Sequence, residues 1–490
     1  MSSEQNIHTP DWVKHAVFYQ IFPDRFAMSE RVPKPNNLQP WESLPTNEGY
    51  KGGDLLGVVE HLDHIQALGC DAIYFTPVFQ SASNHRYHTH DYYKIDPLLG
   101  GNEALRILLD ECHQRGIRVV LDGVFNHASR GFFQFNDILE HGPHSPYLDW
   151  FFVEGWPLSA YDGAQPANYV GWVGNRALPK FNTDNPQVRE FIMQVAEYWI
   201  AFGIDGWRLD VPFEISTPGF WQEFRQRVKR LNPEAYIVGE VWGVSRQWLQ
   251  GDQFDGVMNY LFTGATIAYT AGPRVVPANV EGRSYETMPP KSAAQYAEHI
   301  AWLLGLYDWE IQQTQLNLLD SHDTARLLNI AGGDRATVRL ATLLLLTYPG
   351  APSIFYGDEI GLAGDLDPDS RRTMPWDEPD AWDGDMLAFH QHLIAMRHAH
   401  PALRTGRYHQ LYADDAVYAF LREDGAERVL VAVNAAEEPR NVAIPTLGLL
   451  AEGAALAPLY GAASAEVAGT LVRLDLPARE GAVLREERTQ

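Results

Sequence analysis

The sequence predicts a (β/α)8 TIM barrel with a subdomain inserted after its third strand and a C-terminal antiparallel β-sandwich domain. Three observations carry this. Short apolar runs alternate with helix-period stretches over the first 400 of 490 residues, the pattern of successive βα units. Residues 128–185, rich in Gly, Pro, Trp and Tyr, stand where one helix should follow the third strand, and over 50 residues is too long for an idle loop. From about residue 406 the pattern changes to strand alternation. The expected division is therefore a barrel over 1–127 and 186–405, an insert over 128–185 and a β domain over 406–490.

Eight runs read as barrel strands: AVFYQIF (16–22), DAIYFTP (71–77), IRVVLDGV (117–124), DGWRLDV (205–211), YIVGEV (236–241), FDGVMNY (254–260), QLNLLD (315–320) and PSIFYGD (352–358). Between them lie amphipathic stretches such as LGVVEHLDHIQALG and PQVREFIMQVAEYWIAFG. Gly69, Gly116 and Gly203 follow such stretches, where a terminal glycine takes the left-handed conformation. An open doubly wound sheet is the alternative, but no Gly-rich phosphate loop follows the first strand. In the C-terminal part AVYAFLRE and RVLVAVN flank a turn at Asp424-Gly425, and GTLVRLDL follows later.

Lys and Arg number 38 against 63 Asp and Glu, a net charge of −25. That balance excludes nucleic acid, an anionic membrane surface and a polyanionic substrate, all of which attract cations, and favours a neutral ligand. The N-terminal stretch has no basic region followed by an apolar one, so no signal peptide is read. The longest apolar run, LATLLLLTYPG, is too short to span a bilayer. Cys70 and Cys112 have no CxxC neighbour and read as reduced core thiols, so the expected location is the cytoplasm. Oligomeric state is not legible. The 14 Trp suit large packed cores or the binding of flat amphipathic rings such as sugars.

A barrel carries its chemistry where strands end at the C-terminal face. Four runs deliver an acid there: Asp122, Asp210, Glu240 and, just past LNLLD, Asp323. Any one could simply meet water or cap a helix; four together, with His127 and His322 beside two of them, point to a site. Arg208 lies two residues before Asp210 on the same strand face and is expected to hold that carboxyl ionised and its pKa down. Glu240 has only apolar close neighbours and Trp242, which should raise its pKa. One depressed and one raised carboxyl is the pattern of retaining glycoside hydrolysis. His85, His88 and His90 form H-x-x-H-x-H, a weaker metal signal without helical HExxH spacing; no metal site is assigned.

At these residues the chain resembles the α-amylase family of retaining α-glucan enzymes over residues 11 to about 405. The matching stretches, in family order, are DGVFNH (122–127), GWRLDV (206–211), GEVW (239–242) and SHDT (321–324), with GGDLLG (52–57), DYYKIDP (91–97) and PGAPSIFYGDEIGL (349–362). The resemblance implies Asp210 as nucleophile, Glu240 as acid/base and Asp323 as the carboxylate that stabilises the transition state. It implies that Arg208, His127 and His322 hold the sugar in the cleavage subsite, that Tyr87 stacks beneath it, and that Asp122 and Asn126 support that strand end. LPKFNT (178–183), DVPFE with Glu214, and DPDSRRTMPW (367–376) are similar to neopullulanases, cyclomaltodextrinases and maltogenic amylases, although Pro212 and Phe213 depart from the group's VANE-type segment. By position Asp367 and Arg371 would bind the next sugar on the non-reducing side, and Trp242 would line the leaving-group side.

Three departures matter. With the first strand expected near residue 16, the N-terminal module through which neopullulanases dimerise is not expected here, which puts that dimer in doubt. AMSERVPKPNN (27–37) replaces the Asp- and Asn-rich loop that binds calcium in some relatives, so calcium is in doubt and no cofactor is called for. His88 stands where relatives often have Asp. The expected activity is hydrolysis of α-1,4 bonds in malto-oligosaccharides, cyclodextrins and pullulan, with transglycosylation when a sugar replaces water. The rivals are an α-glucosidase or glucanotransferase on the same barrel and, more remotely, a non-catalytic glucan-binding scaffold.

Overall fold

Eight parallel strands, short and buried at every position but Arg118, surround a core of their own inward side chains in the computed structural model, which describes residues 7–283, 289–425, 427–461 and 465–487. They are β1 (Phe18–Ile21), β2 (Ala72–Phe75), β3 (Arg118–Gly123), β4 (Gly206–Leu209), β5 (Tyr236–Gly239), β6 (Gly256–Val257), β7 (Leu316–Asn317) and β8 (Ala351–Phe355). Each falls within one of the eight expected runs, save that β8 starts one residue earlier. Their order is β6-β5-β4-β3-β2-β1-β8-β7, and a parallel bridge between Met258 and Leu316 joins the two ends of the sheet.

The period-2 alternation sorts side chains into two layers. Phe18, Tyr74, Val120, Tyr236 and Val238 fill the barrel interior with Met258 and Leu316. Their chain neighbours Tyr19, Ile73, Val119 and Ile237 point outward into the layer beneath the helices. Those helices include Leu62–Leu68, Gly101–Gln114 and Pro186–Phe202. Gly69 (φ +94°), Gly116 (φ +75°) and Gly203 (φ +121°) follow them with positive φ, as expected of C-terminal glycines.

The segment between β3 and the helix at 186 contains one α-helix, Phe133–His141, and pairs its own chain through the antiparallel bridges Phe151–Phe181 and Val153–Tyr169. A further bridge, His127–Lys180, ties it to the end of β3. An antiparallel ribbon after β2, Phe79–Ser81 with Thr89–Ile95, is not among the strands read from the sequence. It presents residues 84–88 to the C-terminal face.

The C-terminal part adds β9 (Arg407–Ala413), β10 (Val417–Asp424), β11 (Glu427–Asn434), β12 (Arg440–Pro445), β13 (Ala455–Tyr460), β14 (Ala465–Ala468), β15 (Leu471–Leu476) and β16 (Glu480–Glu486). Their order is β9-β10-β11-β16-β13-β14-β15-β12, with antiparallel neighbours throughout. One face encloses a core of Val417, Leu430, Val442, Val472 and Leu484, while Tyr418, Phe420, Val431 and Val483 pack into the barrel's helix layer. Buried Arg422 donates to the carbonyls of Thr347 at 2.5 Å and Leu403 at 3.0 Å, and the Tyr269 hydroxyl donates to that of Ala416 at 2.8 Å. Cys70 and Cys112 are buried free thiols. Among the described residues no helix is long and apolar enough to cross a membrane.

Candidate active site

Neighbouring strands deliver the acidic side chains to one place. Asp122 stands on β3 opposite Arg208 of β4, and Arg208 is in register with Val238, two residues before Glu240. Parallel register thus brings residues 86 and 32 positions apart around one guanidinium. Arg208, fully buried, donates from Nη1 to Asp122 Oδ2 at 3.0 Å and to Asp210 Oδ1 at 3.1 Å, and its Nη2 lies 3.1 Å from Glu240 Oε2. Val211 N donates to the same Glu240 oxygen at 3.2 Å, and Trp242 Nε1 donates to Oε1 at 3.2 Å. Trp242 is itself held flat against Tyr260, ring centroids 3.6 Å apart and 3° from parallel.

Asp323 arrives differently. It lies six residues beyond β7 on a turn in which Thr324 N donates to Ser321 O at 3.2 Å. Asp320 accepts from Leu327 N at 2.6 Å and closes the base of that loop. His322 Nε2 is 3.1 Å from Asp323 Oδ2 and 2.5 Å from the Tyr87 hydroxyl, and its Nδ1 is 2.7 Å from Gln20 Nε2. With the Gln20 amide donating, His322 carries its proton on Nε2, toward the cleft. Tyr87 lies parallel to the His322 ring and also donates to Asp122 Oδ2 at 3.2 Å. On the far side of Asp323, Arg371 Nη2 is 3.4 Å from Asp323 Oδ1 and 3.5 Å from Asp367 Oδ2.

These groups meet in a cleft of about 650 Å³ lined by Tyr87, His127, Asp210, Glu240, Trp242, Asp323, Asp367 and Arg371. Asp122, Asn126, Arg208 and His322 form a buried layer supporting it. Asn126 Nδ2 lies 3.2 Å from His127 Nδ1, which leaves the other ring nitrogen of His127 to the cleft side, with no aligned hydrogen-bond partner among the described residues. Burial pushes His127 and His322 down to about 3, so both are neutral at ordinary pH and present N–H groups without charge.

Two expectations change here. Asp210 is not depressed: burial, and then the nearby charge of Glu240, push its carboxyl well above the usual range, and Arg208 only partly offsets them. Burial also raises Glu240, and pushes Asp122 up to about 6. One guanidinium facing three carboxyls offsets only part of that cost, so Asp210 and Glu240 titrate as an interacting pair rather than as independent groups. Burial opposes ionisation of Asp323 too, but the neighbouring His322 and Arg371 outweigh it and hold that carboxyl below its ordinary value. The second change concerns Glu214. It lies on the 3-10 turn Pro212–Glu214 and pairs with Lys180 Nζ at 2.7 Å, outside the cleft lining. It ties the inserted segment to the turn that follows Asp210.

The cleft also contains residues that sequence reasoning did not assign to it: Trp172, Phe213 and Arg283. Trp172 lies over the His127 ring, centroids 5.5 Å apart. Phe213, noted only as a departure from a motif, is 45% exposed at the cleft, a large apolar ring without cover. Arg283 gives no signal in the sequence. His85 and His88 line the cleft as well, with ring centroids 5.0 Å apart. Among the described residues no group of three His, Cys, Asp or Glu side chains is arranged to hold a metal ion.

Paired carboxyls at strand ends, a third beside a neutral imidazole and aromatic walls are an arrangement for glycosidic bonds, and the comparisons with known proteins agree. Residues 20–381 match the family model of the alpha amylase catalytic domain, and residues 408–479 match that of the neopullulanase-like C-terminal domain. The chain belongs to the α-amylase family and is a glycoside hydrolase. Among individual proteins it is similar to a cyclomaltodextrinase of Bacillus sp., 46% identical over 429 residues that cover 87% of this chain and 73% of that protein. It is also similar to neopullulanase 2 of Thermoactinomyces vulgaris, 43% identical over 438 residues that cover 89% and 72%. The crystal structure of a debranching enzyme from Nostoc punctiforme aligns with TM-score 0.90 and 61% identity, covering 98% of this chain and 100% of that one. The cyclic α-maltosyl-(1→6)-maltose hydrolase of Arthrobacter globiformis aligns with TM-score 0.86 and 39% identity, covering 98% and 100%.

Proposed function

We propose that this protein is a retaining α-glucan hydrolase that cuts α-1,4 bonds of malto-oligosaccharides and cyclodextrins and also acts on pullulan. The observation that carries this is the sharing of Arg208 by Asp210 and Glu240, with Trp242 and Val211 N fixing the glutamate. In the reactive form the shared proton sits on Glu240 and Asp210 is ionised. Glu240 protonates the glycosidic oxygen as Asp210 attacks the anomeric carbon, giving a β-glucosyl-enzyme. Glu240, now ionised, takes a proton from water, whose oxygen displaces Asp210 and releases an α-anomer. A sugar hydroxyl in place of water gives transglycosylation. Asp323, kept ionised by its neighbours, faces the charge that develops on the anomeric carbon. Tyr87, His127 and His322 contact the sugar there, and Asp367 and Arg371 contact the next one.

A second reading, cleavage of α-1,6 branch points, is favoured by the Nostoc punctiforme relative, named a debranching enzyme and matched over its whole length. An α-1,6 bond reaches the same carboxyl pair with one extra rotatable bond, so it needs no other machinery. The substrates are neutral, which suits the acidic shell, and a relative of Bacillus subtilis named an intracellular maltogenic amylase supports a cytoplasmic location.

The reading calls for no cofactor. In the first βα loop Lys34 Nζ lies 2.7 Å from Asp54 Oδ2, donates to Leu98 O at 3.2 Å, and so takes the position beside a fully buried carboxylate that a bound cation would need. That pairing supports a reading without calcium in this loop.

The test is proton NMR of β-cyclodextrin, pullulan and maltotriose incubated with the enzyme, with Asp210→Asn as blank. New α-anomeric reducing ends from the ring, absent from the blank, are expected. An intact ring with maltotriose consumed would overturn the ring-opening reading in favour of an α-glucosidase or glucanotransferase. Loss of the α-1,6 linkage signal of pullulan would establish the second reading.

A further inference from the structure

A line of alternating charge leads away from Asp323. Arg371 follows it, then Asp367, and then Arg283, whose Nη2 donates to Asp367 Oδ1 at 3.1 Å. Arg283 comes from a stretch that contains none of the site motifs, between the helices Tyr260–Thr270 and Ala293–Leu304. That stretch is fastened to the loop bearing Asp367. Asn279 Nδ2 donates to Asp365 Oδ1 at 3.0 Å and to Asn329 O at 3.1 Å, Val276 N donates to Ile330 O at 2.8 Å, and Val280 is buried. Arg283 is thus placed at the cleft by a docked segment rather than by a loose surface loop.

A half-exposed ion pair with Asp367 would be of little consequence if it were all that Arg283 made. Two observations point further. Arg283 lines the same cleft as the catalytic carboxyls, and its Nε is buried with no hydrogen-bond partner among the described residues. A guanidinium carries five N–H donors and no acceptor, and Asp367 occupies only one of its nitrogens. The natural acceptors in a cleft for neutral glucan are sugar hydroxyls, and a charge-assisted bond to them is stronger than one between neutral groups.

We propose that Arg283 is a specificity-determining residue that binds hydroxyls of glucose units beyond the Asp367–Arg371 pair, so that full activity requires a donor extended on the non-reducing side. This rests on the α-glucan reading above. Arg283 does not touch the reacting bond; it binds ground state and transition state alike, and its loss appears in KM rather than kcat.

The test compares wild type, Arg283→Met and Arg283→Lys on maltohexaose labelled at its reducing end and on p-nitrophenyl α-glucoside, which places one sugar on the non-reducing side. For Arg283→Met, kcat/KM on maltohexaose should fall about tenfold through KM, with kcat and the rate on the glucoside within about twofold of wild type. Cleavage should also shift toward bonds nearer the non-reducing end. Arg283→Lys, which keeps the charge but not the fork, should lie between. A loss of the same size on p-nitrophenyl α-maltoside, whose second sugar reaches Asp367 and goes no further, would mean that Arg283 only props Asp367 and would overturn the proposal, as would no loss on maltohexaose. A wild-type enzyme inert toward maltohexaose would instead remove the α-glucan reading on which the proposal rests.

Discussion

Replacing Arg208 by lysine keeps one positive charge and removes the fork, and its effect can be worked out contact by contact. The guanidinium reaches Asp122 at 3.0 Å, Asp210 at 3.1 Å and Glu240 at 3.1 Å through two different nitrogens. A lysine ammonium is a single nitrogen on a flexible stem and cannot stand at all three. If it stays on Asp122, both carboxyls of the pair lose the cation beside them, and the lost charge-assisted bond to Asp210 is worth about 1.5–3 kcal/mol. At 1.36 kcal/mol per pH unit that moves the acid limb of the rate profile upward by about one to two units. The sign follows from the charge: without the cation the pair holds its second proton more tightly, so Asp210 is ionised only at higher pH. At pH 5–6 turnover should fall about ten- to a hundredfold and recover in part toward pH 8. The assay is kcat on maltotriose from pH 4 to 9 for wild type and Arg208→Lys, with Tm at each pH to show that both remain folded. An acid limb within about 0.3 unit of wild type and an unchanged kcat would refute the assignment of Arg208 as the group that holds the pair.

Acidification should cost stability at His127 and His322. His127 and His322 have folded-state values near 3, far below the ordinary 6.5, so their stabilising contribution is complete above pH 6.5 and is lost as pH falls toward 3, up to about 5 kcal/mol each. Asp122, raised from 3.8 to about 6, acts oppositely: its contribution is present below 3.8 and lost as pH rises through 6, about 3 kcal/mol. Calorimetry should therefore show that acidification from pH 6.5 to 4 costs His127→Gln less Tm than it costs the wild type; an equal loss in both would contradict the argument. Dialysis against a chelator should leave Tm and kcat unchanged. Lys34→Met, which strands the buried Asp54 carboxylate, should lower Tm by several degrees, a cost of about 3–5 kcal/mol. A Tm that falls on chelation of the wild type would show that the loop holds a metal after all.

The barrel was legible because its strands are apolar on both faces and separated by strongly amphipathic helices, so each run stood out even where, as at Gly256–Val257, only two residues pair. The carboxyls that meet in the cleft were legible because polar residues at the end of apolar strands are costly without a purpose. Their electrostatics were not. Reading i and i+2 along one strand assigned Arg208 to Asp210 alone, whereas the charge that matters to Glu240 lies across the sheet on the neighbouring strand. Gln20 shows a signal that was present and not used: a polar residue on the inward face of β1, explained by its contact with His322. Arg283 is different in kind, because nothing in a short irregular segment tells which distant loop it will meet.

The position of β16 has a consequence for biosynthesis. The strand nearest the end of the chain, residues 480–486, sits in the middle of its sheet, paired on one side with β11 and on the other with β13. A ribosome delivers it after every other strand of that sheet. Until then β11 offers a bare edge that any extended segment can join, and the barrel helices lack the cover that Val483 and its neighbours provide. The nascent protein therefore cannot complete its C-terminal half stepwise, and a message truncated by a few codons before residue 480 should yield aggregate rather than a slightly shorter enzyme.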